Sequence, residues 1–305
     1  MVIEQVERLS AFAASADSGG NPAGVWIGDA LPQPDQMQAL AAQVGYSETA
    51  FAAPTQSSDG KPAWRVRFFA PQIEVPFCGH ATIALGAALA RREGNGAALA
   101  RREGNGAALA RREGSGNFPL VLNEAEISVE GRVLDQGLWA RLQSAPTSSR
   151  LLDPTQVRSA LNLFGLSSDD LSAELAPAWS NAGAGHWVLF LKDRQTLAQM
   201  AYDFETGRGL MADNNLATIA LAVQMQGAEF HVRNAFAVGG VVEDPATGAA
   251  AAALAETLRA QQGALAPGEF LIHQGDDMGV PSRLQVELTM ETGSPIQVSG
   301  LVRVI

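Results

Sequence analysis

The sequence predicts an α+β protein of two similar halves, each a curved, barrel-like sheet around a central helix. Three observations carry that expectation. Short β-branched and aromatic runs alternate with helical patterns along the chain. Two helical patterns, Ala81 to Glu93 and Ala246 to Gln262, are small and apolar on every face. A surface helix carries a polar stripe, so these two call for close backbone approach all round, with their N-termini opening toward the cleft between halves. Finally, the chain says one thing twice: glycine, apolar strand, turn and Leu/Met-bearing helix run from Gly20 and again from Ala182.

The strands expected are WRVRFFA (Trp64 to Ala70), EISVEG (Glu126 to Gly131), HWVLFLK (His186 to Lys192), FHVRNAFA (Phe230 to Ala237) and RLQVELTM (Arg283 to Met290). Beside the two small-residue helices, Pro34 to Gly45, Pro154 to Gly165 and Asn215 to Gln226 read as helices. CGHAT and DPATG each open a small-residue helix, so Cys78 and Asp244 read as the two helix mouths. The turn-rich SAPTSS (Ser144 to Ser149) marks the boundary. The halves are then 1–145 and 146–295, with a last strand, 296–305, returning to the first half.

Composition narrows the function. The 305 residues are 47% hydrophobic and carry a formal charge of −11, which argues against nucleic acid or an anionic membrane as partner. No apolar stretch reaches the roughly 18 residues of a membrane span, and the opening MVIEQVERLSAFAAS has no secretory pattern. A cytoplasmic protein is expected. The single cysteine, Cys78, allows no intramolecular disulfide. The four histidines show no metal-ligand spacing, and no nucleotide-binding glycine motif or GxSxG elbow occurs. The expectation is chemistry on a small-molecule substrate with no metal and no cofactor.

GNPAGV (Gly20 to Val25), YSETAF (Tyr46 to Phe51), RFFAPQIEVPFCGHAT (Arg67 to Thr82), EDPATGAA (Glu243 to Ala250) and IHQGDDMGVPSR (Ile272 to Arg283) together resemble the successive signatures of the PhzF family of phenazine-biosynthesis-type isomerases. The resemblance implies a diaminopimelate epimerase-like fold and a homodimer. It also implies Glu48 of the SET motif as catalytic acid/base, with His80 and Asp244 assisting, and Asn21, Cys78, Gly79 and Gly248 around the substrate.

The residues support those roles on their own terms. A carboxylate at Glu48 beside apolar Tyr46 and Phe51 loses hydration and is suited to trade a proton. His80 at a helix N-terminus is disfavoured as imidazolium, and Gly79 lets its N–H approach an oxyanion. Asp244 before Pro245 also fits a helix N-cap. Counting excludes a two-thiol racemase, since only one cysteine exists; Cys78 reads chiefly as a small packed residue. A proton shift by one carboxylate survives, as do a racemase using Glu48 and Asp244 on opposite faces and a non-catalytic binding or regulatory protein. Arg67 and Arg233 are candidate partners for a substrate carboxylate.

The decamer GAALARREGN stutters through three near-identical copies after the first mouth. Ten residues at 100° each rotate the stripe between copies, so one continuous face is impossible. The first copy, through Arg92, is expected to complete the core helix. About 20 residues, 96–115, read as a tandem insertion forming short exposed turns or a longer helix.

Overall fold

The computed structural model describes residues 3–102, 115–263 and 268–305. The chain divides into two compact units, Met1–Gln143 with Ser299–Ile305, and Ser144–Val298.

In the first unit, β1 (Glu7–Ala13) pairs antiparallel with β2 (Asn21–Ile27). Helix α1 (Pro34–Val44) crosses back and sets β3 (Thr49–Gln56) parallel to β2. Pro34 starts α1 with its φ already helical, and Gly45 ends it at φ +73, the left-handed conformation a C-terminal glycine supplies. β4 (Pro62–Phe69) runs antiparallel to β3, and the two residues of β5 (Glu74–Val75) fold back on its end. Helix α2 (Gly79–Arg102) is the second crossover. It delivers β6 (Ser115–Val121) parallel to β4, followed by antiparallel β7 (Glu126–Leu134) and β8 (Gly137–Gln143). The last strand, β17 (Gln297–Val304), pairs with β1, Leu9 opposite Val304.

The second unit repeats this order. After β9 (Ser148–Leu151) and helix α3 (Pro154–Phe164), β10 (Ala178–Asn181) pairs antiparallel with β11 (Gly185–Phe190). Helices α4 (Arg194–Ala198) and α5 (Phe204–Asp213) form the crossover to β12 (Thr218–Gln224), parallel to β11. β13 (Glu229–Ala235) follows antiparallel, and β14 (Glu243–Asp244) folds back on its end. Helix α6 (Gly248–Gln262) leads to β15 (Glu269–Gln274), parallel to β13, and then to antiparallel β16 (Ser282–Glu287).

In each unit the small-residue helix is encased. Residues 81–90 of α2 and 250–259 of α6 are buried without a break. Alanine on every face is what lets the surrounding strands approach this closely. The tightest crossing is between Gly86 of α2 and Gly131 of β7, where a Cβ on Gly131 would overlap the Gly86 carbonyl.

One expectation is corrected. Residues 215–226 are not a helix; the buried run forms β12, a strand between β11 and β13. An all-apolar run of that length suits a strand covered on both faces as well as a buried helix. Of the two forms expected past the first copy, the described residues take the longer helix: α2 runs through Gly94-Asn95-Gly96 to Arg102, because the flanking Ala, Leu, Arg and Glu are strong helix formers that offset about 1 kcal/mol per glycine. The rest of the tandem insertion, 103–114, lies outside the described residues.

The Gly86–Gly131 crossing sets a test. Gly131→Ala adds a methyl against rigid backbone and should cost about 2–3 kcal/mol, read as a lower urea midpoint. A wild-type midpoint would mean that the helix can shift within its sheet.

Candidate active site

In the first unit, the chain leaves α1 at Gly45 and passes through Tyr46, Ser47 and Glu48 into β3. The Glu48 carbonyl accepts the Gly24 N–H at 3.1 Å, which ties this turn to β2. The Glu48 side chain is 17% exposed, and its Oε2 lies 3.5 Å from His80 Nε2. Ser47 Oγ is 3.3 Å from the same nitrogen. The other ring nitrogen, Nδ1, lies 3.4 Å from Cys78 Sγ. Cys78 Sγ is also 4.0 Å from Nε2, so carboxylate, thiol and imidazole gather in one cluster, their titratable atoms within 4.8 Å of one another. Phe51, expected to dry the carboxylate, packs instead with Trp26, Met37, Leu40 and Phe69; three residues along an extended chain, it faces the other way.

Helix α2 positions this group. Cys78 ends the approach from β5, and its carbonyl accepts the Thr82 N–H at 3.0 Å and the Thr82 hydroxyl at 2.7 Å. Gly79 opens the helix, and a Cβ there would meet nothing within 4 Å. The helix mouth beside His80 is thus open where a side chain would stand. Asn21 is buried at the start of β2.

In the second unit, Asp244 lies on β14, backbone-paired with Asn234 of β13. Its Oδ2 receives the Thr247 hydroxyl. Asn234 Nδ2 donates to Thr247 Oγ1 at 2.6 Å, and Gln274 Nε2 donates to the same oxygen at 3.2 Å and to the Asp244 carbonyl at 2.7 Å. Both amide nitrogens can only donate. Thr247 therefore directs its one proton at Asp244 Oδ2, which accepts it. Gly248 opens α6 immediately after Thr247.

The strand registers equate the two units residue by residue. Phe51 faces Arg67 and Thr49 faces Phe69 in the first; Leu221 faces Arg233 and Ile219 faces Ala235 in the second. Arg67 and Arg233 hence occupy one position. Arg67 binds Glu74 at 2.8 and 2.5 Å, and Arg233 binds Glu243 at 3.0 and 2.5 Å. This corrects the sequence reading: neither arginine is a substrate-carboxylate partner in the structure, since each is clamped to a neighbouring glutamate. The mouths are corrected as well. Glu74-Val75 matches Glu243-Asp244, and the opening glycines Gly79 and Gly248 match. The counterpart of Cys78 is Thr247, and that of Asp244 is Val75.

Sequence reasoning missed Ser47, Thr247, Asn234 and Gln274, although three of them stand inside quoted motifs. It also missed His186. That residue and Thr218 occupy the positions of Ala23 and Glu48, and His186 Nδ1 lies 2.7 Å from Thr218 Oγ1. His186 Nε2 has no hydrogen-bond partner among the described residues. Burial pushes the imidazole down to about 4 from its ordinary 6.5.

The fold defines a class: α+β proteins of two like-built units, each wound about a buried helix. The chain belongs to the phenazine biosynthesis-like (PhzC-PhzF) family, whose model matches residues 9–302. An uncharacterized isomerase of Deinococcus radiodurans is 30% identical over 93% of this chain and 88% of its own. The uncharacterized isomerase YfhB of Bacillus subtilis is 26% identical over 97% and 94%. Among solved structures, a PhzF-family protein of Bacillus anthracis superposes with a TM-score of 0.78 at 20% identity, covering 98% of this chain and 96% of that one. A probable proline racemase of Agrobacterium radiobacter superposes with a TM-score of 0.60 at 12% identity, covering 98% and 90%.

The buried His186 fixes a pH dependence. Its native value lies below the unfolded one, so the unfolded chain binds a proton that the native chain does not. Stability should fall as pH drops below about 6.5 and this loss should level off near 4, reaching about 3 kcal/mol. His186→Ala, which installs the residue of the equivalent position, should flatten that segment of the curve in denaturant titrations. An unchanged slope in the variant would assign the acid lability elsewhere.

Proposed function

We propose that the protein is a cofactor-independent isomerase that shifts a proton on a small, carboxylated metabolite. Glu48 is the acid/base, His80 steadies it, and Asp244 is the second unit's contribution. The observation that carries the reading is Glu48 itself, held largely out of water and 3.5 Å from His80 Nε2 at the mouth of α2. The N-terminus of a long helix favours negative charge. A substrate carboxylate, or the enolate formed when a neighbouring C–H is deprotonated, is the group that would gain there.

Cys78, Gly79, Asn21 and Gly248 are read as substrate contacts. Gly79 supports this most directly, because its missing side chain leaves room for an oxyanion against the backbone N–H. The relatives named isomerases support the reaction class. The same reading takes the protein as a cytoplasmic homodimer, as the family resemblance implies.

The test uses carboxylated metabolites incubated with the protein in deuterated water, followed by mass spectrometry. A substrate should gain deuterium or change into an isomer of equal mass. Glu48→Gln should lower that rate about 10²–10⁴-fold, with the melting temperature close to wild type. Full turnover in Glu48→Gln would remove Glu48 from the chemistry. Tight binding of a metabolite with no exchange would favour a binding protein. Inversion at a single carbon, seen by chiral analysis, would point to a racemase.

A further inference from the structure

The less buried face of β13 carries a charged cluster in the second unit. His231 of β13 and His273 of β15 are register partners on parallel strands, and their rings stack with centroids 4.7 Å apart, 12° from parallel. His273 Nε2 lies 3.0 Å from Glu229 Oε2. His231 Nδ1 has two neighbours of opposite kind. Arg194 of α4 donates its Nε–H to it at 3.3 Å, and Asp276 Oδ2 stands 3.8 Å away. An arginine can only donate, so His231 is neutral in this arrangement, with its proton on Nε2. The other charged groups about the pair are Arg283 of β16, bound to Asp276 at 3.1 Å, and Asp277. Arg194 holds Asp277 at 2.9 and 2.8 Å, and Arg233 lies 3.9 Å from it.

Asp276 and Asp277 belong to one short turn, Asp276–Met278, flanked by Gly275 at φ +76 and Gly279 at φ +74. Both glycines take the left-handed conformation that other residues resist. This turn backs onto the mouth of α6. A Cβ on Gly275 would lie 2.9 Å from the Pro245 carbonyl oxygen, and Gln274, one residue earlier, donates to the Asp244 carbonyl at 2.7 Å.

We propose that His231 is a positioning residue for Asp244, and that its protonation exchanges Arg194 for Asp276 as its partner and loosens the turn that supports Asp244. The inference rests on the reading of Asp244 as the second unit's contribution to the chemistry, and gives that contribution a pH dependence. A proton on Nδ1 turns an acceptor into a donor. It then meets the Arg194 N–H donor to donor, and Asp276 becomes the available acceptor. Asp276 is drawn away from Arg283 while Asp277 stays with Arg194, so two adjacent residues of one turn are pulled apart. Stacking works in the same direction, because two charged imidazole rings at this distance repel. Burial first, and then the charges of His273 and Arg194, hold the His231 imidazole below its ordinary 6.5. Its native value lies below the unfolded one, so the neutral arrangement is intact at neutral pH and is lost as pH falls.

The first unit has a permanent cation at this place. With Arg67 equivalent to Arg233, Arg65 takes the position of His231 and Val121 that of His273. An arginine opposite a valine does not titrate near neutrality. The residue after the clamped glutamate is Val75 in that unit and Asp244 in the other. The titratable pair and the aspartate therefore stand in the same unit.

Hydrogen–deuterium exchange of the full chain, read by mass spectrometry at pH 7.5 and 5.5 and corrected for intrinsic rates, tests this without substrate. His186 weakens the whole unit over the same range, so the readout is the exchange of residues 274–280 relative to that of β11. On acidification this ratio should rise about five- to tenfold, tenfold being the limit one pH unit below 6.5. His231→Asn keeps an acceptor near the place of Nδ1 and cannot take the proton, so its ratio should stay within about twofold. His231→Lys, a permanent cation, should show the raised ratio at both pH values. An unchanged ratio in the wild type, or a wild-type rise in His231→Asn, overturns the proposal. Should His231→Asn fail to fold, His273→Gln decides. Removing the stacked neighbour lifts the native value of His231, so the rise should shrink, and a full rise overturns the proposal. Full isomerase turnover in Asp244→Asn beside an intact pH response would remove Asp244 from the chemistry and keep the switch. Turnover that needs Asp244, with exchange indifferent to His231, would do the reverse.

Discussion

The structure depends on sealing an alanine-rich helix inside each sheet. Ten consecutive residues of α2 and ten of α6 are withdrawn from water, so the few polar side chains among them must be paired, as Thr82, Thr257, Glu256 and Arg259 are. Alanine brings the strands near enough to touch the helix backbone, and at Gly86 and Gly131 even a methyl group is too much. Because the flanks are sealed, the polar groups that a helix leaves unpaired emerge only at its ends. In the first unit the N-terminal end holds the titratable cluster. In the second, the C-terminal end of α6 is closed by a buried ion pair of Glu256 and Arg259, which also binds Thr147, Ser294 and the Thr289 carbonyl. One end is locked by charge and the other carries hydroxyl and carboxylate.

Equivalence of strands has not meant equivalence of chemistry. Where the second unit has Asn234, Gln274, Asp244 and His186, the first has Phe68, Leu122, Val75 and Ala23. Where the first has Glu48, Cys78 and His80, the second has Thr218, Thr247 and Ala249. The first unit is apolar where the second is ionic or strongly polar, and the second carries two hydroxyls and a methyl where the first carries its titratable groups. A buried polar group must find partners or cost stability, so a network installs as a set. Asp244 comes with Thr247, Asn234 and Gln274; Glu48 comes with Ser47, His80 and Cys78. The duplicated scaffold hosts two different sets rather than two copies of one.

Much of this was legible in the sequence, and the exceptions have physical causes. The two central helices announced themselves by having no polar face, and the strands of Trp64, Phe230 and Arg283 by alternation. Residues 215–226 misled because β12 is buried on both faces, which erases the period that separates a strand from a buried helix. Glu48, His80 and Asp244 stood in recognisable motifs, but their partners did not follow from spacing. His186 meets Thr218 through parallel strand pairing, and Asn234 meets Thr247 across a hairpin and a helix start. Contacts of that kind depend on register, which the sequence of one strand does not reveal. The pairing of the helix mouths went astray because the first polar residue of each mouth was matched; Glu74 to Gly79 and Glu243 to Gly248 have the same spacing, and aligning them puts Thr247 opposite Cys78.

The twin arginine–glutamate pairs explain how the sets could change without losing their aim. β5 and β14 are only two residues long, too short for ladder hydrogen bonds to fix them firmly. In both, the first residue is a glutamate held in bidentate fashion by an arginine two strand positions back on the neighbouring strand. Arg67 holds the Glu74 carboxyl below its ordinary range, chiefly through that hydrogen bond, and the Arg233–Glu243 pair is sheltered, 13% and 5% exposed, where such pairs are less screened than at an open surface. Successive side chains of a strand point to opposite faces. Fixing the glutamate on one face of the strand therefore turns the next residue to the other face. That next residue is Val75 in one unit and Asp244 in the other. The clamp decides where the side chain points and leaves open what it is, so a carboxylate could be placed at one mouth and a methyl-bearing side chain at the other on the same backbone.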